Sequence, residues 1–409
     1  MKKFFALLLS LAMVLALVAC GQKETTTPDD TQTPDDTTPE VEYKIAMITD
    51  YGDITDQSFN QTTYEACKAF AEDNSIEFSY FKPAGDNTAD RVAMIEKAVD
   101  EGFNVIVMPG YAFGGAIVEA APEFPDVKFI ALDVAAGDLL ETAVAKAGEA
   151  YDYTPENWDL NKYVDMSNVY CAVYQEELCG YMAGYAAVKL GYKNLGFLGG
   201  MSVPAVVRYG YGFVQGVDAA AADLGLTDVK LNYIYGGQFF GDADITAVMD
   251  TWYQGGTEVV FACGGGIYTS AVDAAKKVNA KVIGVDVDQA GVIAKYAGVD
   301  GMTVTSAMKG LYPATYDTLT DVIVNGNWDK YVGKIATLGL VSGTDPEANY
   351  VQIPMGDGTQ WSDSFTQDDY KAMVKDMFDG KITVSNDTTK APTDFATAIT
   401  VNAQGQIKG

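Results

Sequence analysis

The sequence predicts an α/β protein built from two doubly wound parallel-sheet lobes with a ligand cleft between them. Three observations carry this. Short apolar runs alternate with stretches of helical spacing. The alternation runs through once to about residue 174 and restarts near residue 194. Almost every strand-like run also closes on aspartate or glycine, along what would be one edge of the sheets. Small molecules collect just beyond the carboxyl ends of strands in open α/β sheets, so a cleft between lobes would lie at that edge.

The first strand runs from Lys44 to Asp50 and delivers a carboxylate. A polar turn follows, then Ser58-Phe59-Asn60 where a helix should begin, with helical pattern from Tyr64 to Glu72. A carboxylate, a flat apolar ring and an amide suit a small molecule with a planar face and a polar edge. The same residues would equally serve as a helix N-cap and hydrophobic staple. Glu77 to Phe81 is a second strand, and Asp90 to Glu101 has helical spacing at Val92, Ile95, Ala98 and Val99. Asn104 to Met108 is apolar throughout, as expected of a strand covered on both faces. A helix to about Ala121 leads to a strand over Lys128 to Leu132, which ends at Asp133. A polar and aromatic insert over 135–165 precedes the strand Val169 to Tyr174.

In the second set, Asn194 to Leu198 ends in Gly199-Gly200, and a helix starts near Pro204. Lys230 to Tyr235 ends in Gly236-Gly237, Glu258 to Ala262 in Gly264-Gly265-Gly266, and Lys281 to Val285 at Asp286. The chain then crosses back, with a strand over Met302 to Ser306, a helix over Tyr312 to Val324 and a last strand over Lys334 to Leu340, before a weakly patterned C-terminus. The expected lobes are 43–178 plus 302–330 and 179–301 plus 331–409.

The N-terminal end implies an address. Met1-Lys2-Lys3 and the apolar run from Phe4 to Val18 have the length of a signal-peptide core rather than a spanning helix. The run closes on Leu17-Val18-Ala19-Cys20, which resembles a bacterial lipobox. Residues 1–19 are therefore expected to be a lipoprotein signal peptide, with Cys20 lipidated and anchored on the extracytoplasmic face of the cell membrane. Residues 20–42, dominated by Thr, Pro and Asp, are expected to form a disordered tether.

Composition excludes several functions. The chain has no histidine, which removes His-containing hydrolytic triads and His-ligated zinc. A formal charge of −29 argues against nucleic acid as a partner. Cys67, Cys171, Cys179 and Cys263 lie in apolar or small surroundings, favouring buried free thiols over a disulfide framework, and none has metal-ligand spacing. The strand-end glycines fit neither GxGxxG nor GxxxxGK[ST], so no phosphate loop and no cofactor is expected.

The ordered set comprising the lipobox, Thr49-Asp50, Ser58-Phe59-Asn60-Gln61, Ala131-Leu132-Asp133, Gln175-Glu176-Glu177, Gly180-Tyr181-Met182-Ala183-Gly184, Gly199-Gly200-Met201 and Gly284-Val285-Asp286-Val287-Asp288-Gln289 resembles the basic membrane protein family of lipoproteins. These are PnrA-type purine-nucleoside receptors of ABC importers, and the resemblance covers about residues 43–345. It implies the type I periplasmic-binding-protein fold, with three crossovers, an ABC permease as partner, and no enzymatic activity. It further implies that Phe59 stacks on the base while Asp50 and Asn60 read its edge, with Ser58 and Asp133 beside them. Asp286 and Lys309 would hold the ribose hydroxyls, and Gly264 and Gly265 would give backbone contacts. Tyr209 is the candidate for a second aromatic facing Phe59. A sensor or binding protein for another small polar ligand, such as a sugar or signalling molecule, would use the same cleft. A nucleoside-acting hydrolase could draw an acid–base pair from Asp50, Asp133 and Asp286.

Overall fold

Among the described residues, 42–408 in this computed structural model, thirteen strands fall into two sheets. The expected signal peptide, Cys20 and the tether to residue 41 lie outside the described residues. The first sheet contains β1 (Lys44–Ile48), β2 (Glu77–Phe81), β3 (Val105–Pro109), β4 (Lys128–Leu132), β5 (Val169–Tyr174) and β11 (Lys334–Leu338), in the order β11-β5-β4-β3-β1-β2. All of its pairs are parallel.

Alternation along these strands explains both covered faces. Ile45, Met47, Val105, Val107, Ile130 and Leu132 point to one side, where Phe70 of α1 (Phe59–Asn74) and Leu319 of α11 (Leu311–Leu319) meet them. Ala46, Ile48, Ile106, Met108, Phe129 and Ala131 point to the other. There they meet Ile95 of α2 (Thr88–Asp100), Ile117 of α3 (Gly114–Ala120) and Leu139 of α4 (Ala136–Lys146). Burial on both sides is why these strands carry no polar alternation.

The second sheet contains β6 (Asn194–Gly199), β7 (Lys230–Tyr235), β8 (Val259–Cys263), β9 (Lys281–Asp286), β10 (Thr303–Lys309), β12 (Val351–Gln352) and β13 (Thr400–Gln406), in the order β12-β10-β9-β8-β6-β7-β13. Only the two-residue β12 pairs antiparallel. One face packs on α6 (Glu176–Lys189), α7 (Pro204–Asp223) and α12 (Gln367–Phe378). The other packs on α8 (Ala243–Gln254), α9 (Tyr268–Val278) and α10 (Ala290–Ala297). Helices α6 and α7 approach backbone to backbone, because a Cβ at Gly180 would strike the Tyr209 carbonyl and one at Gly212 the Glu177 carbonyl.

The strand pairing corrects the expected lobe boundaries. β10 bonds to β9, so residues 303–309 belong with the second sheet rather than the first, and β11 bonds to β5, so residues 334–338 belong with the first. An apolar run announces a strand but not its hydrogen-bonded neighbour, and the pairing puts each segment in the lobe opposite to the one the sequence predicts. The chain crosses between lobes after Tyr174, after Lys309 and between Leu338 and Val351, giving the three crossovers. The crossings bond to one another: Gln175 N donates to Leu338 O, Tyr350 N to Gly339 O and Gly310 N to Tyr350 O, at 3.0, 3.0 and 2.7 Å.

α1 begins at Phe59, where the sequence places a helix start, and Asp56 organises its first turn. Two local expectations change. The first third of the 135–165 insert is helix α4, whose Leu139, Leu140, Ala143 and Val144 are buried at helical spacing; the more irregular part follows it and holds a 3-10 turn at Pro155–Asn157 and the short α5 (Leu160–Tyr163). The C-terminus is structured: β12 and β13 cover the two edges of the second sheet, and Asp218 accepts from the backbone N–H groups of Thr397, Ala398 and Ile399. The four cysteines are buried free thiols, as expected.

Candidate functional site

A cavity of about 420 Å³ opens between the carboxyl ends of the two sheets. Asp50, Phe59, Asn60, Asp133, Tyr209, Gly264, Gly265, Asp286 and Lys309 all reach its wall. Ser58 stands just behind it.

One end is built from the turn after β1. Asp50 Oδ1 accepts from the backbone N–H groups of Tyr51 and Gly52, at 2.6 and 2.7 Å, and from Asn60 Nδ2 at 3.2 Å. Burial nevertheless raises the Asp50 carboxyl above its ordinary range, against those three donors. Asp56, which the sequence reading passed over, accepts from the N–H groups of Ser58 and Gln61 through Oδ1 and from that of Asn60 through Oδ2, at 2.9, 3.1 and 2.9 Å. Its Oδ2 also accepts from Asn60 Nδ2 at 3.1 Å. The N-terminal donors of α1 are thus satisfied by a carboxylate two residues ahead of the formal cap. Asn60 is 4% exposed and its Oδ1 has no partner.

Ser58 is not the capping group. Its hydroxyl crosses the cleft and donates to Asp286 Oδ2 at 2.5 Å, while Tyr209 Oη donates to Asp286 Oδ1 at 3.1 Å. Nearby, Gln289 Nε2 donates to the Gln57 carbonyl at 3.1 Å, a second bond between the α1 start and the second lobe. Phe59 is half-buried and packs against core clusters of both lobes.

The other end is ionic. Lys309, the last residue of β10, has its ammonium 2.5 Å from Asp133 Oδ2, 3.4 Å from Glu176 Oε1 and 3.9 Å from Asp286 Oδ1. It also lies 4.6 Å from the centre of the Phe59 ring, a cation–π distance. Burial alone would lower the ammonium's pKa; the carboxylates of Asp133, Glu176 and Asp286 outweigh it and push the pKa up. Burial and the Glu176 charge lift Asp133 to about 6 even though Lys309 opposes them. Arg208 donates to Glu176 Oε2 at 2.7 Å, holding that carboxylate from the α7 side. Asp133 Oδ1 is buried with no partner. Asp133 and Asp286 both have left-handed backbone, φ 60° and 64°, a conformation that aspartate adopts more readily than most residues.

The aromatic walls differ from expectation on one side. Tyr209 is fully buried and its hydroxyl is committed to Asp286. The half-buried ring on the second-lobe side is Phe239, which lies across the strand-end glycines: a Cβ at Gly264, φ 134°, would stand 2.7 Å from its ring. Tyr51 and Tyr111 extend the first-lobe wall, and their hydroxyls point at Met201 Sδ across the cleft, at 3.4 and 4.0 Å. Sequence reasoning missed Asp56, Phe239 and Arg208 as parts of the site. Asp56 carried a signal, an aspartate ahead of a helix start, and Arg208 is the immediate neighbour of the candidate Tyr209. Phe239 had none, since it lies in a loop. Among the described residues no cluster of ligating side chains could hold a metal ion, and no helix is long and apolar enough to cross a membrane.

Residues 43–345 match the family model described as ABC transporter substrate-binding protein PnrA-like. Among curated relatives, the chain is similar to the "ABC transporter nucleoside-binding protein BmpA" of Lactococcus lactis subsp. cremoris, 25% identical with 84% of this chain and 90% of that one covered. Basic membrane protein B of Borreliella burgdorferi is 26% identical, covering 76% and 83% of the two chains. Of solved structures, an ABC transporter solute-binding protein from Aeropyrum pernix K1 superposes with a TM-score of 0.60 at 19% identity, over 86% of this chain and 90% of that one. One from Conexibacter woesei gives 0.59 at 20% identity, over 84% and 99%. These neighbours share the type I periplasmic-binding-protein fold that the sequence implied. The chain belongs to the PnrA-like family of ABC transporter substrate-binding proteins, which bind solutes and are not enzymes.

Proposed function

We propose that this family member captures a purine nucleoside between its lobes and delivers it to the permease of an ABC transporter, held at the outer face of the cell membrane by a lipid on Cys20. The observation that carries the reading is a pair of buried acceptors without partners, Asn60 Oδ1 and Asp133 Oδ1, in two side chains that line one aromatic-walled cavity. Asp50, which holds the Asn60 amide, follows β1 and Asp133 follows β4; β3 lies between them, so these strand ends stand about 10 Å apart at ordinary strand spacing. A nucleoside brings donors at both ends of such a span, N–H groups on the base and hydroxyls on the ribose. The relative from Lactococcus lactis, named for nucleoside binding, supports the same class.

In this reading Phe59 stacks on the base from the first lobe and Phe239 from the second, while Tyr209 holds Asp286 in place. Asp50 and Asn60 meet the base edge. Asp133, Asp286 and Lys309 meet the ribose hydroxyls, and Ser58 joins the lobes beside them. Gly264 and Gly265 keep the backbone low enough for ring and ligand. Ligand would favour the closed population of a two-lobed protein.

The test is to identify the co-purifying ligand by mass spectrometry, strip it and titrate inosine calorimetrically into the wild type, Phe59→Ala and Asp286→Ala. A stacked base is worth roughly 1–3 kcal/mol, so Phe59→Ala should weaken binding about 10- to 100-fold with unchanged circular dichroism. Unchanged affinity in both variants would refute the assignment.

A further inference from the structure

The donor and acceptor count at the base end specifies more than a purine. Asn60 Nδ2 has two hydrogens, and both are engaged: one with Asp50 Oδ1 at 3.2 Å, the other with Asp56 Oδ2 at 3.1 Å. Both partners are carboxylate oxygens, so an Asn60 amide turned the other way would press its own oxygen against two anions. The orientation is therefore fixed, and the buried, partnerless atom of this cavity-lining side chain is the acceptor Oδ1.

Asp50 contributes a second acceptor beside it. Its Oδ1 takes the N–H groups of Tyr51 and Gly52 as well as Asn60, which leaves Oδ2 for the cavity. The hydroxyls of the lining residues Tyr51 and Tyr111 are directed at Met201 Sδ and that of Thr55 at Asp53 Oδ1, so none is committed as a donor to the pair.

We propose that this end of the cavity selects bases whose edge carries two adjacent N–H donors, as the N1–H and N2–H of guanine do, and rejects adenine. The inference rests on the nucleoside reading above. Hypoxanthine offers N1–H alone and leaves one acceptor unmet. Adenine sets an unprotonated ring nitrogen next to its amino group, so a lone pair faces a lone pair. An acceptor buried without a donor loses its hydration with nothing in return. Hydrogen bonds to charged groups are the strong ones, which makes Asp50 the larger contributor.

Calorimetric titration of the purified, ligand-stripped chain with guanosine, inosine and adenosine tests this. Guanosine should bind about 10-fold tighter than inosine and about 100-fold tighter than adenosine. The decisive variant is Asp50→Asn. The Tyr51 and Gly52 N–H groups would keep the amide oxygen where Oδ1 now lies, placing Nδ2 at the cavity. A donor would then stand beside the Asn60 acceptor, matching adenine, and adenosine should bind tighter than guanosine. Adenosine equalling guanosine on the wild type, or Asp50→Asn weakening all three alike, would overturn the inference. Heat from inosine and guanosine with no difference between them would also do so while sparing the nucleoside reading. No binding of any of the three would overturn both.

Discussion

The two ends of the cavity are built in opposite ways. The base end is local: Asp50, Asp56 and Asn60 lie within eleven residues of one lobe, and their bonds go to each other and to neighbouring backbone. The ionic end is assembled from distant chain: Asp133 from the first lobe, Asp286 and Lys309 from the second, and Glu176 and Arg208 from the helix pair beside a crossover. A local constellation survives when the lobes part. A shared one is complete only when they meet. Under the proposed function, the contrast assigns recognition of the heterocycle to a preformed surface and coupling to closure to the charged cluster.

The largest expected effect comes from removing the one cation that serves three carboxylates. Lys309→Met leaves Asp133, Glu176 and Asp286 buried without it, and breaking a buried pair costs about 3–5 kcal/mol. Urea unfolding should show that loss; one below about 1 kcal/mol would break the contrast, because the cluster would then not hold the protein together.

Next is pH. Burial, first among the causes, lifts Asp133 to about 6 and both Asp138 and Glu177 to about 7, all in or beside the ionic end. In the unfolded chain these groups ionise near 3.8, 3.8 and 4.5. The folded state therefore holds protons that the unfolded state has released. This contribution to stability is present below about pH 4 and is lost as pH rises toward about 7. Melting temperature should fall by several degrees between pH 5 and pH 7.5, on the order of a few kcal/mol of linkage. A rise over that interval would contradict the burial assigned to these groups.

At the local end, Asp56→Ala removes the carboxylate from three backbone N–H groups and frees the Asn60 amide. Loss of such a cap costs about 1–2 kcal/mol. Nucleoside affinity should fall about 10-fold as Asn60 turns, with urea unfolding and calorimetry as the two readouts. The smallest effect is Ser58→Ala, which deletes one bond across the cleft. Stability should stay within about 0.5 kcal/mol, while affinity drops roughly 3- to 10-fold and small-angle scattering of the ligand-free protein shows a larger radius. Equal losses of stability in Asp56→Ala and Ser58→Ala would erase the distinction between the ends.

Legibility in the sequence followed the same division. Strand ends are local, so Asp50, Asp133 and Asp286 could be placed at the cleft edge from apolar runs alone. Phe59 and Asn60 stood in a recognisable helix start. Lys309 entered through family resemblance; as a residue it looked like a solvated lysine, and its burial depends on carboxylates 133 to 176 positions earlier in the chain. Arg208 and Phe239 acquire their places only when α7 packs on α6 and the loop after β7 lies over Gly264. The exchange of β10 and β11 between lobes has the same origin, since pairing partners are a property of the folded sheet. β13, with the sequence Thr-Val-Asn-Ala-Gln-Gly-Gln, is a largely exposed edge strand and carries no apolar alternation to announce it.

The positive φ angles at Asp133 and Asp286 restrict how such a site can diverge. Branched or bulky side chains are penalised by that backbone geometry, whereas asparagine and glycine tolerate it. The substitution alphabet at these two positions is thus only a few letters long. A descendant of this chain acquiring a new cargo would keep its acidic pair nearly intact and explore instead through Phe59, Phe239 and the tyrosines at the rim.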